Sequence, residues 1–207
     1  RLLCEKKGPM CMRVGSRATS RQFMQADWVL VHEMIHLAFP WMNGAHNWMA
    51  EGLAVYVESI ARVQAGHLPE KQIWKDFMAS MPRGLPQAGD EGIDVTDTWG
   101  RTYWGGALFC LVADAGIRQQ TENAKGLQQA LRAINAERNF SRMWPFRETL
   151  ELGDRATGRT VLVDQYDAWK ETPVSPDLVK LWADLGVKPE SDGAPLAAVR
   201  KAILTPM

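Results

Sequence analysis

The sequence has few cysteines, no excess of either charge and no long apolar run, and each absence narrows the possible functions. Lysine and arginine together number 24, as do the acidic residues, so the net charge is zero and nothing favours nucleic acid as a partner. No apolar run approaches the roughly 18 residues of a membrane-spanning helix, so we expect no transmembrane segment. The 207 residues contain no repeat or low-complexity tract and suffice for one compact domain with a hydrophobic core.

The three cysteines bear on the location of the protein more than on its chemistry. Cys4 and Cys11 flank a Gly-Pro turn signal, so they are placed to meet across a hairpin. We expect a disulfide between them if the protein is exported, and two free thiols otherwise. Cys110 lies within an apolar run and is predicted to be a buried, inert thiol. Because the chain starts at Arg1 rather than Met, we expect a trimmed N-terminus and favour an exported or periplasmic location over the cytoplasm, with localisation itself left unknown.

Helix start and stop signals predict a mainly α-helical (α+β) fold. Pro40 and Gly66 mark helix ends, and Asn47 is a good N-cap. The predicted helices cover about residues 23–39, 47–65, 69–80, 102–119, 125–136, 145–152, 159–170, 175–185 and 195–204. Residues 1–20 are expected to form a little β structure, and residues 81–100 a long loop of the kind that often carries function.

The strongest functional signal is the pentapeptide His32-Glu33-Met34-Ile35-His36. On a helix, residues four apart lie on the same face, so two imidazoles in this spacing reach one ion at Zn–N distances of about 2.0–2.1 Å. Glu33 is rotated by about 100° from His32, which puts it beside the metal without forcing it to bind. That position suits a carboxylate that takes a proton from a water molecule activated by the metal.

The helix that carries this motif is apolar almost all round, which predicts that it is buried. Two histidines and a glutamate inside a buried helix are costly unless something satisfies them, and a metal ion would do so. The alternative is a pair of hydrogen-bonded core histidines, which has to account for three polar groups at once.

A catalytic zinc ion usually has three protein ligands and one open position, so two histidines leave the site one ligand short. Glu51 is the best third candidate, because it lies among apolar residues in the first turns of the next predicted helix. The loop at residues 40–46 lets this helix fold back on the first one, and Gly52 permits close packing between them. Two alternatives stay open: Glu51 is simply favoured near a helix N-terminus, or His46 is the third ligand.

The run Trp48–Glu58, WMAEGLAVYVE, resembles the third-ligand helix of gluzincin aminopeptidases. Together with HEMIH, it resembles the glycyl aminopeptidase family and, more distantly, the aminopeptidase N family. The resemblance implies a thermolysin-like zincin catalytic domain with one zinc ion (Zn2+) per chain, held by His32, His36 and Glu51. It also implies that Glu33 is the general base.

A second stretch, Thr102–Leu108, resembles the Tyr-x-Lys-Gly segment of the same families, with Gly105 in place of the lysine. The resemblance implies that Tyr103 hydrogen-bonds the oxyanion formed when water attacks the amide, whereas the alternative is a core or interface aromatic. Glu58, two helical turns beyond Glu51, is expected to orient a ligand histidine, or else to be a surface carboxylate.

Three residues near Tyr103 in the sequence are candidates for lining a substrate cleft. Trp99, Arg101 and Trp104 either shape the cleft or pack in the core. Residues 10–16 are expected to supply an extended edge along which a peptide binds by strand addition.

We divide the chain into a zincin catalytic core, residues 1–136, and a helical C-terminal subdomain, residues 137–207. The expected activity is zinc-dependent hydrolysis of a peptide or protein substrate, aminopeptidase-like by resemblance, with Glu33 as base and Tyr103 at the oxyanion. Exopeptidase or endopeptidase action, side-chain preference and oligomeric state stay open. The alternatives are a non-catalytic zinc-containing domain that binds a partner, a zinc hydrolase of a non-peptide substrate, and a helical interaction domain without metal.

Overall fold

The computed structural model describes Thr19 and residues 27–42, 44–138 and 142–206, which form nine α-helices. They are α1 (Asp27–Leu37), α2 (Asn47–Gln64), α3 (Glu70–Ser80), α4 (Gly106–Gln120), α5 (Leu127–Glu137), α6 (Phe146–Thr157), α7 (Val161–Trp169), α8 (Leu178–Asp184) and α9 (Ala197–Leu204). Between them lie two short 3-10 turns, Gly44–His46 and Met81–Gly84, and one π-helical turn, Gly100–Gly105. The described residues form no β-strand beyond two isolated bridges, so the predicted mainly α-helical fold is confirmed.

Most helix boundaries follow the signals in the sequence. α1 ends before Pro40, and α2 ends before Gly66, whose φ of 75° lies in the left-handed region that favours glycine. Asp177 caps α8, because its side chain accepts a 2.9 Å hydrogen bond from the backbone N–H of Lys180. These ends therefore depend on local chemistry that the sequence displays.

The start of α2 differs from the prediction. Asn47 is predicted as its N-cap, but Asn47 is the first helical residue and His46 occupies the cap position. The reason is that the 3-10 turn Gly44–His46 runs directly into the helix, which leaves no extended residue to carry a capping side chain. His46 accordingly makes no side-chain cap hydrogen bond.

The helix predicted at residues 102–119 also starts differently. Its first turn, Gly100–Gly105, is π-helical, and α4 follows directly. This π turn packs against the second 3-10 turn, where a Cβ on Gly84 would lie 2.2 Å from the backbone nitrogen of Gly105. Buried Arg101 donates a 2.8 Å hydrogen bond to the Gly84 carbonyl and so fastens the two turns together. Turns of this type are frequent at functional sites.

The core is built around the central pair α2 and α4. α1 packs on α2, and both α7 and α9 pack on α4. The two central helices approach closely because two glycines meet: a Cβ on Gly52 would lie 2.3 Å from the Cα of Gly106. Gly52 permits close helix packing, as predicted, but the helix that approaches it is α4 and not α1. Cys110 of α4 is buried, as predicted, and burial raises the pKa of its thiol.

Gly106→Ala is expected to destabilise the protein. The new Cβ would lie 2.1 Å from the carbonyl oxygen of Trp48 and 2.8 Å from the Cα of Gly52. Because both contacts are with backbone, the two helices must separate, and we expect the free energy of unfolding to fall by about 1–3 kcal/mol. Urea denaturation checks this. Gly44→Ala is the matched control, since nothing lies within 4 Å of a Cβ there, and an equal loss in both variants would contradict the assigned contact.

Within the described ranges, no helix is both long and apolar enough to cross a membrane. α5 packs on α6 and α4 packs on α7, so helices on both sides of residue 136 share contacts, and the division of the chain there stays a prediction. The β structure predicted near the N-terminus, the Cys4–Cys11 pair and the substrate edge at residues 10–16 lie outside the described residues.

Candidate metal centre and cleft

Two histidines of α1 and one glutamate of α2 come together. His32 and His36 lie one helical turn apart, with ring centroids separated by 5.0 Å and ring planes inclined at 83°. Oε2 of Glu51 lies 3.1 Å from Nε2 of His32 and 3.7 Å from Nε2 of His36. One ligand atom from each of the three residues lies within 4.8 Å of the other two. The packing of α1 on α2 thus groups the three side chains that the sequence predicted as metal ligands.

The two distances from Glu51 are compatible with ligands of one metal ion. Zinc binds histidine nitrogen and carboxylate oxygen at about 2.0–2.2 Å with tetrahedral angles, so neighbouring ligand atoms are expected roughly 3.3 Å apart. The two distances from Glu51 to the histidines, 3.1 and 3.7 Å, bracket that value. Among the residues that the structure describes, no other group of three histidine, cysteine or acidic side chains is close enough to share an ion. The binding of an ion here, and its identity as zinc, stay predictions.

The protonation states of Glu51 and His36 also suit metal binding. Burial raises the pKa of Glu51, but the hydrogen bond with His32 and the charge of His36 outweigh it and bring this pKa below its ordinary value. Burial lowers the pKa of His36, and this outweighs the opposing effect of the Glu51 charge. An ionised carboxylate and a neutral imidazole are the forms that bind a metal ion.

His32, one of the three grouped side chains, lines an open cleft of about 390 Å³. Volumes of about 300–1,000 Å³ are typical of sites for small molecules. His32, Glu33 and Tyr103 all line this cleft, so a predicted ligand, the predicted base and the predicted oxyanion donor face the same space. α1, α2 and the π turn with its flanking residue each contribute to the walls.

Tyr103 belongs to the π turn and is half-buried. Its ring stacks on that of His32, with centroids 6.4 Å apart and planes at 21°, and on Trp99, with centroids 5.7 Å apart. Burial raises the pKa of the Tyr103 hydroxyl, and the charges of Glu51 and Glu33 raise it further. A hydrogen bond with the Glu51 carboxylate raises this pKa as well, so the hydroxyl keeps its proton near neutral pH and lies beside one of the ligand candidates.

Glu58 is buried in the wall of the cleft and is not a surface carboxylate. Its two oxygens accept hydrogen bonds of 2.9 Å from the Ser59 hydroxyl and from Nη1 of Arg62. Among the described residues of α1 and α2, the carboxylate forms no hydrogen bond with His32 or His36. The hydrogen bond that was predicted to orient a ligand histidine is therefore not formed. The carboxylate is instead directed toward neighbours on its own helix. Burial raises the pKa of Glu58, and the charge of His32 is close enough to oppose that shift.

Part of the cleft wall was not predicted from the sequence. Trp28 lies four residues before His32, and Val55 lies four residues after Glu51. Each is therefore one turn along the same helix face as a metal-ligand candidate. That spacing is the signal that could have identified them, although neither side chain carries reactive chemistry of its own.

Two of the three neighbours of Tyr103 shape the cleft. Trp99 and Trp104 line it, and Trp99 is 59% exposed. Arg101 is only 2% exposed and bonds the carbonyl of Gly84, so it holds the π turn to the 3-10 turn instead of lining the cleft. The sequence could not separate these roles, because they depend on which way each side chain leaves the π turn.

His46, the alternative third ligand, belongs to a separate polar cluster. Its Nε2 lies 3.2 Å from the Tyr166 hydroxyl and 3.5 Å from Oδ2 of Asp94. The Asp94 carboxylate also accepts hydrogen bonds of 2.7 Å from Trp48 Nε1 and from the Tyr166 hydroxyl. The backbone N–H of Asp94 donates to the carbonyl of Lys170, so this acid joins the long loop to α2 and to the end of α7. The structure does not group His46 with the other ligand candidates.

Asp94→Asn is expected to reduce the loss of stability in acid. Burial raises the pKa of Asp94, but hydrogen bonds from His46, Tyr166 and Trp48 outweigh it and bring the pKa below its ordinary value of 3.8. A carboxyl with a depressed pKa stabilises the folded state above the unfolded pKa, and this stabilisation is lost as the pH falls through the folded value.

Urea denaturation at a series of pH values measures this effect. Between about pH 5 and pH 3, the Asp94→Asn variant should lose less free energy of unfolding than the wild type. Tyr166→Phe keeps the ring but removes one of the hydrogen bonds, so its pH dependence should be intermediate. Parallel pH curves for the three proteins would show that Asp94 is not the group responsible.

The described residues thus group His32, His36 and Glu51 and bring Glu33 and Tyr103 to the same cleft. The sequence motifs predicted this grouping, and the chemistry of the site follows from these five side chains. No family model, no curated protein and no solved structure matches this chain.

Proposed function

We propose that this chain is a zinc-dependent peptide hydrolase. The observation that carries the proposal is the grouping of two imidazoles and one carboxylate, of which His32 lines a cleft that Glu33 and Tyr103 also line. A structural zinc site is usually closed by four ligands, mostly cysteine and histidine. Three ligand candidates at an open cleft, none of them cysteine, favour a catalytic site over a non-catalytic zinc domain or a helical domain without metal.

His32, His36 and Glu51 are the residues that would hold the ion. A bound zinc ion supplies Lewis-acid chemistry, because it polarises a carbonyl group and makes water more acidic. The lowered pKa values of Glu51 and His36 favour an ionised carboxylate and a neutral imidazole near neutral pH, and these are the forms that bind a metal ion.

Glu33 accepts and delivers the proton. It follows His32 in α1 and lines the cleft, but it is not one of the three grouped ligand candidates. Its carboxylate takes a proton from the attacking water and passes it to the nitrogen of the leaving amine. The amide C–N bond breaks in the same step, so the products are a carboxylic acid and an amine.

Tyr103 donates a hydrogen bond to the carbonyl oxygen as negative charge develops on it. Its raised pKa keeps the donor proton in place. Tyr103→Phe is therefore expected to lower kcat by about 10²- to 10³-fold, with zinc content unchanged. Tyr166→Phe is the matched control, because that hydroxyl bonds Asp94 outside the cleft and its loss should leave kcat near the wild-type value. Equal kcat in both variants would remove Tyr103 from the mechanism.

Zinc content and peptide cleavage, measured on the same preparation, test the proposal. We expect about one zinc ion per chain, loss of that zinc in His36→Ala, and hydrolysis that disappears with the metal. A chain that takes up no zinc after reconstitution would overturn the proposal. Zinc uptake with cleavage of non-peptide substrates alone would favour a different zinc hydrolase.

More specifically, we propose that the chain has a thermolysin-like catalytic domain and acts as an aminopeptidase. Its support is the likeness of WMAEGLAVYVE and HEMIH to the glycyl aminopeptidase family. Cleavage of matched peptides with free and blocked amino termini distinguishes an exopeptidase from an endopeptidase. Preference for free termini would support an exopeptidase, whereas equal cleavage of both sets would support an endopeptidase.

A further inference from the structure

The cleft beside the grouped ligands has tryptophan on two of its contributing elements. Trp28 comes from α1, and Trp99 and Trp104 come from the π turn and the residue before it. Trp28 is 48% exposed and Trp99 is 59% exposed; of the seven large apolar side chains that are exposed among the described residues, these two line the cleft and the other five do not. Val29 of α1 and Val55 of α2 line the same space. Two exposed indole rings that border one concave site favour a ligand there.

The polar groups of the cleft limit the charge of that ligand. Glu33, Glu58 and Ser59 line it, and no lysine or arginine does so among the described residues. Glu58 already accepts hydrogen bonds from Ser59 and Arg62. An acidic ligand would therefore meet the Glu33 carboxylate with no lysine or arginine in the lining to offset it, whereas an uncharged ligand needs no charge partner.

We propose that this cleft is a subsite for the aromatic side chain of a substrate, so that the hydrolase prefers peptides with phenylalanine, tyrosine or tryptophan beside the cleaved bond. The inference rests on the hydrolase function proposed for the same site. A ring that lies against Trp99 or Trp28 gains edge-to-face or offset-stacked contacts. Because His32 and Glu33 line the same cleft, the backbone attached to that ring lies next to the groups that act on it.

The size of the cleft agrees with this occupant. An enclosed cavity of about 150 Å³ is enough to hold a benzene ring. The cleft measures about 390 Å³, which leaves room for a ring and for part of the peptide that carries it. A methyl side chain would leave most of the tryptophan surface in contact with water.

Binding can be measured without catalysis. The probe is N-acetyl-phenylalaninamide, added to the full chain with and without zinc, and the readout is the indole N–H signals in the NMR spectrum. Signals of Trp28, Trp99 and Trp104 should shift with a Kd on the order of 1 mM, and the signal of exposed Trp41 should not. N-acetyl-alaninamide at the same concentration should shift none of them. Equal shifts with both compounds, or none with either, would overturn the subsite.

Cleavage supplies the second readout. Peptides that differ only in one residue should be cleaved with a kcat/KM at least about tenfold higher for phenylalanine than for alanine. Trp99→Ala should lower this ratio by about threefold to tenfold, and Trp99→Phe should restore most of it. Replacing Trp99 can also disturb the Tyr103 ring that stacks on it. Such a disturbance changes kcat/KM equally for both peptides, so it cancels in the ratio of phenylalanine to alanine. Trp41→Ala, an exposed tryptophan outside the cleft, is the matched control and should leave the ratio unchanged.

The two readouts separate failure of the subsite from failure of the hydrolase. Selective binding of the aromatic amide without hydrolysis of any peptide would retain the subsite and reject the proposed reaction. Hydrolysis without aromatic preference and without selective indole shifts would retain the reaction and reject the subsite. Preference for a basic side chain over an aromatic one would also reject it, because the carboxylates of Glu33 and Glu58 would then dominate recognition.

Discussion

Replacing Glu33 with glutamine is expected to lower kcat for peptide hydrolysis by about 10²- to 10⁴-fold while zinc content stays at the wild-type level. Glutamine keeps the length and polarity of the side chain but cannot accept the proton of the attacking water. Zinc is retained because the ligand candidates are His32, His36 and Glu51, and Glu33 is not grouped with them. The measurement pairs steady-state kinetics on a cleaved peptide with elemental analysis of the same sample.

Glu70→Gln is the matched control for this experiment. It makes the same exchange at an exposed position in the first turn of α3, so both kcat and zinc content should stay unchanged. Full activity in the Glu33→Gln protein would exclude Glu33 as the general base, and loss of zinc would make it a ligand. Inactivity of both the wild type and the variant, with zinc present in each, would favour the non-catalytic partner-binding domain.

The grouping of the ligand candidates could be predicted because its requirements are local. His32 and His36 are neighbours through helix periodicity alone. Glu51 needs only a short return loop and a second helix that packs closely on its neighbours. Gly52, which lacks a side chain, lets α2 approach α4 closely and so helps to fix the position of α2 in the core. The positions of Pro40 and Gly66 fixed the helix ends for equally local reasons.

The rest of the cleft depends on contacts between distant parts of the chain. Trp99 and Trp104 line the cleft only because the π turn is held by Arg101 and the glycine contact at Gly84. No periodic pattern in the sequence distinguishes a π turn from an α-helical one. The hydrogen bonds of Glu58 likewise depend on the side chain of Arg62, which helix spacing permits but does not require.

Asp114→Ala is expected to have the largest effect on stability. Asp114 of α4 is 3% exposed, and its Oδ1 accepts hydrogen bonds of 2.9 Å from Nε of Arg118 and 2.8 Å from the backbone N–H of Leu127. Its Oδ2 accepts a 2.9 Å hydrogen bond from the Tyr56 hydroxyl. The substitution removes the carboxylate that neutralises a buried guanidinium, so we expect the free energy of unfolding to fall by about 3–5 kcal/mol.

Urea denaturation measures this loss, and Glu151→Ala is the matched control. Arg147 and Glu151 form an ion pair of the same i,i+4 type, but their side chains are 50% and 44% exposed, and truncation should change the free energy of unfolding by at most about 0.5 kcal/mol. The double variant Asp114→Ala with Arg118→Met distinguishes two causes. Partial recovery would assign the cost to the buried charge, whereas no recovery would assign it to the lost bonds with Tyr56 and Leu127. A loss below about 1 kcal/mol in Asp114→Ala would contradict both explanations. An unpaired buried charge on Arg118, or the lost hydrogen bonds with Tyr56 and Leu127, should each cost more than that.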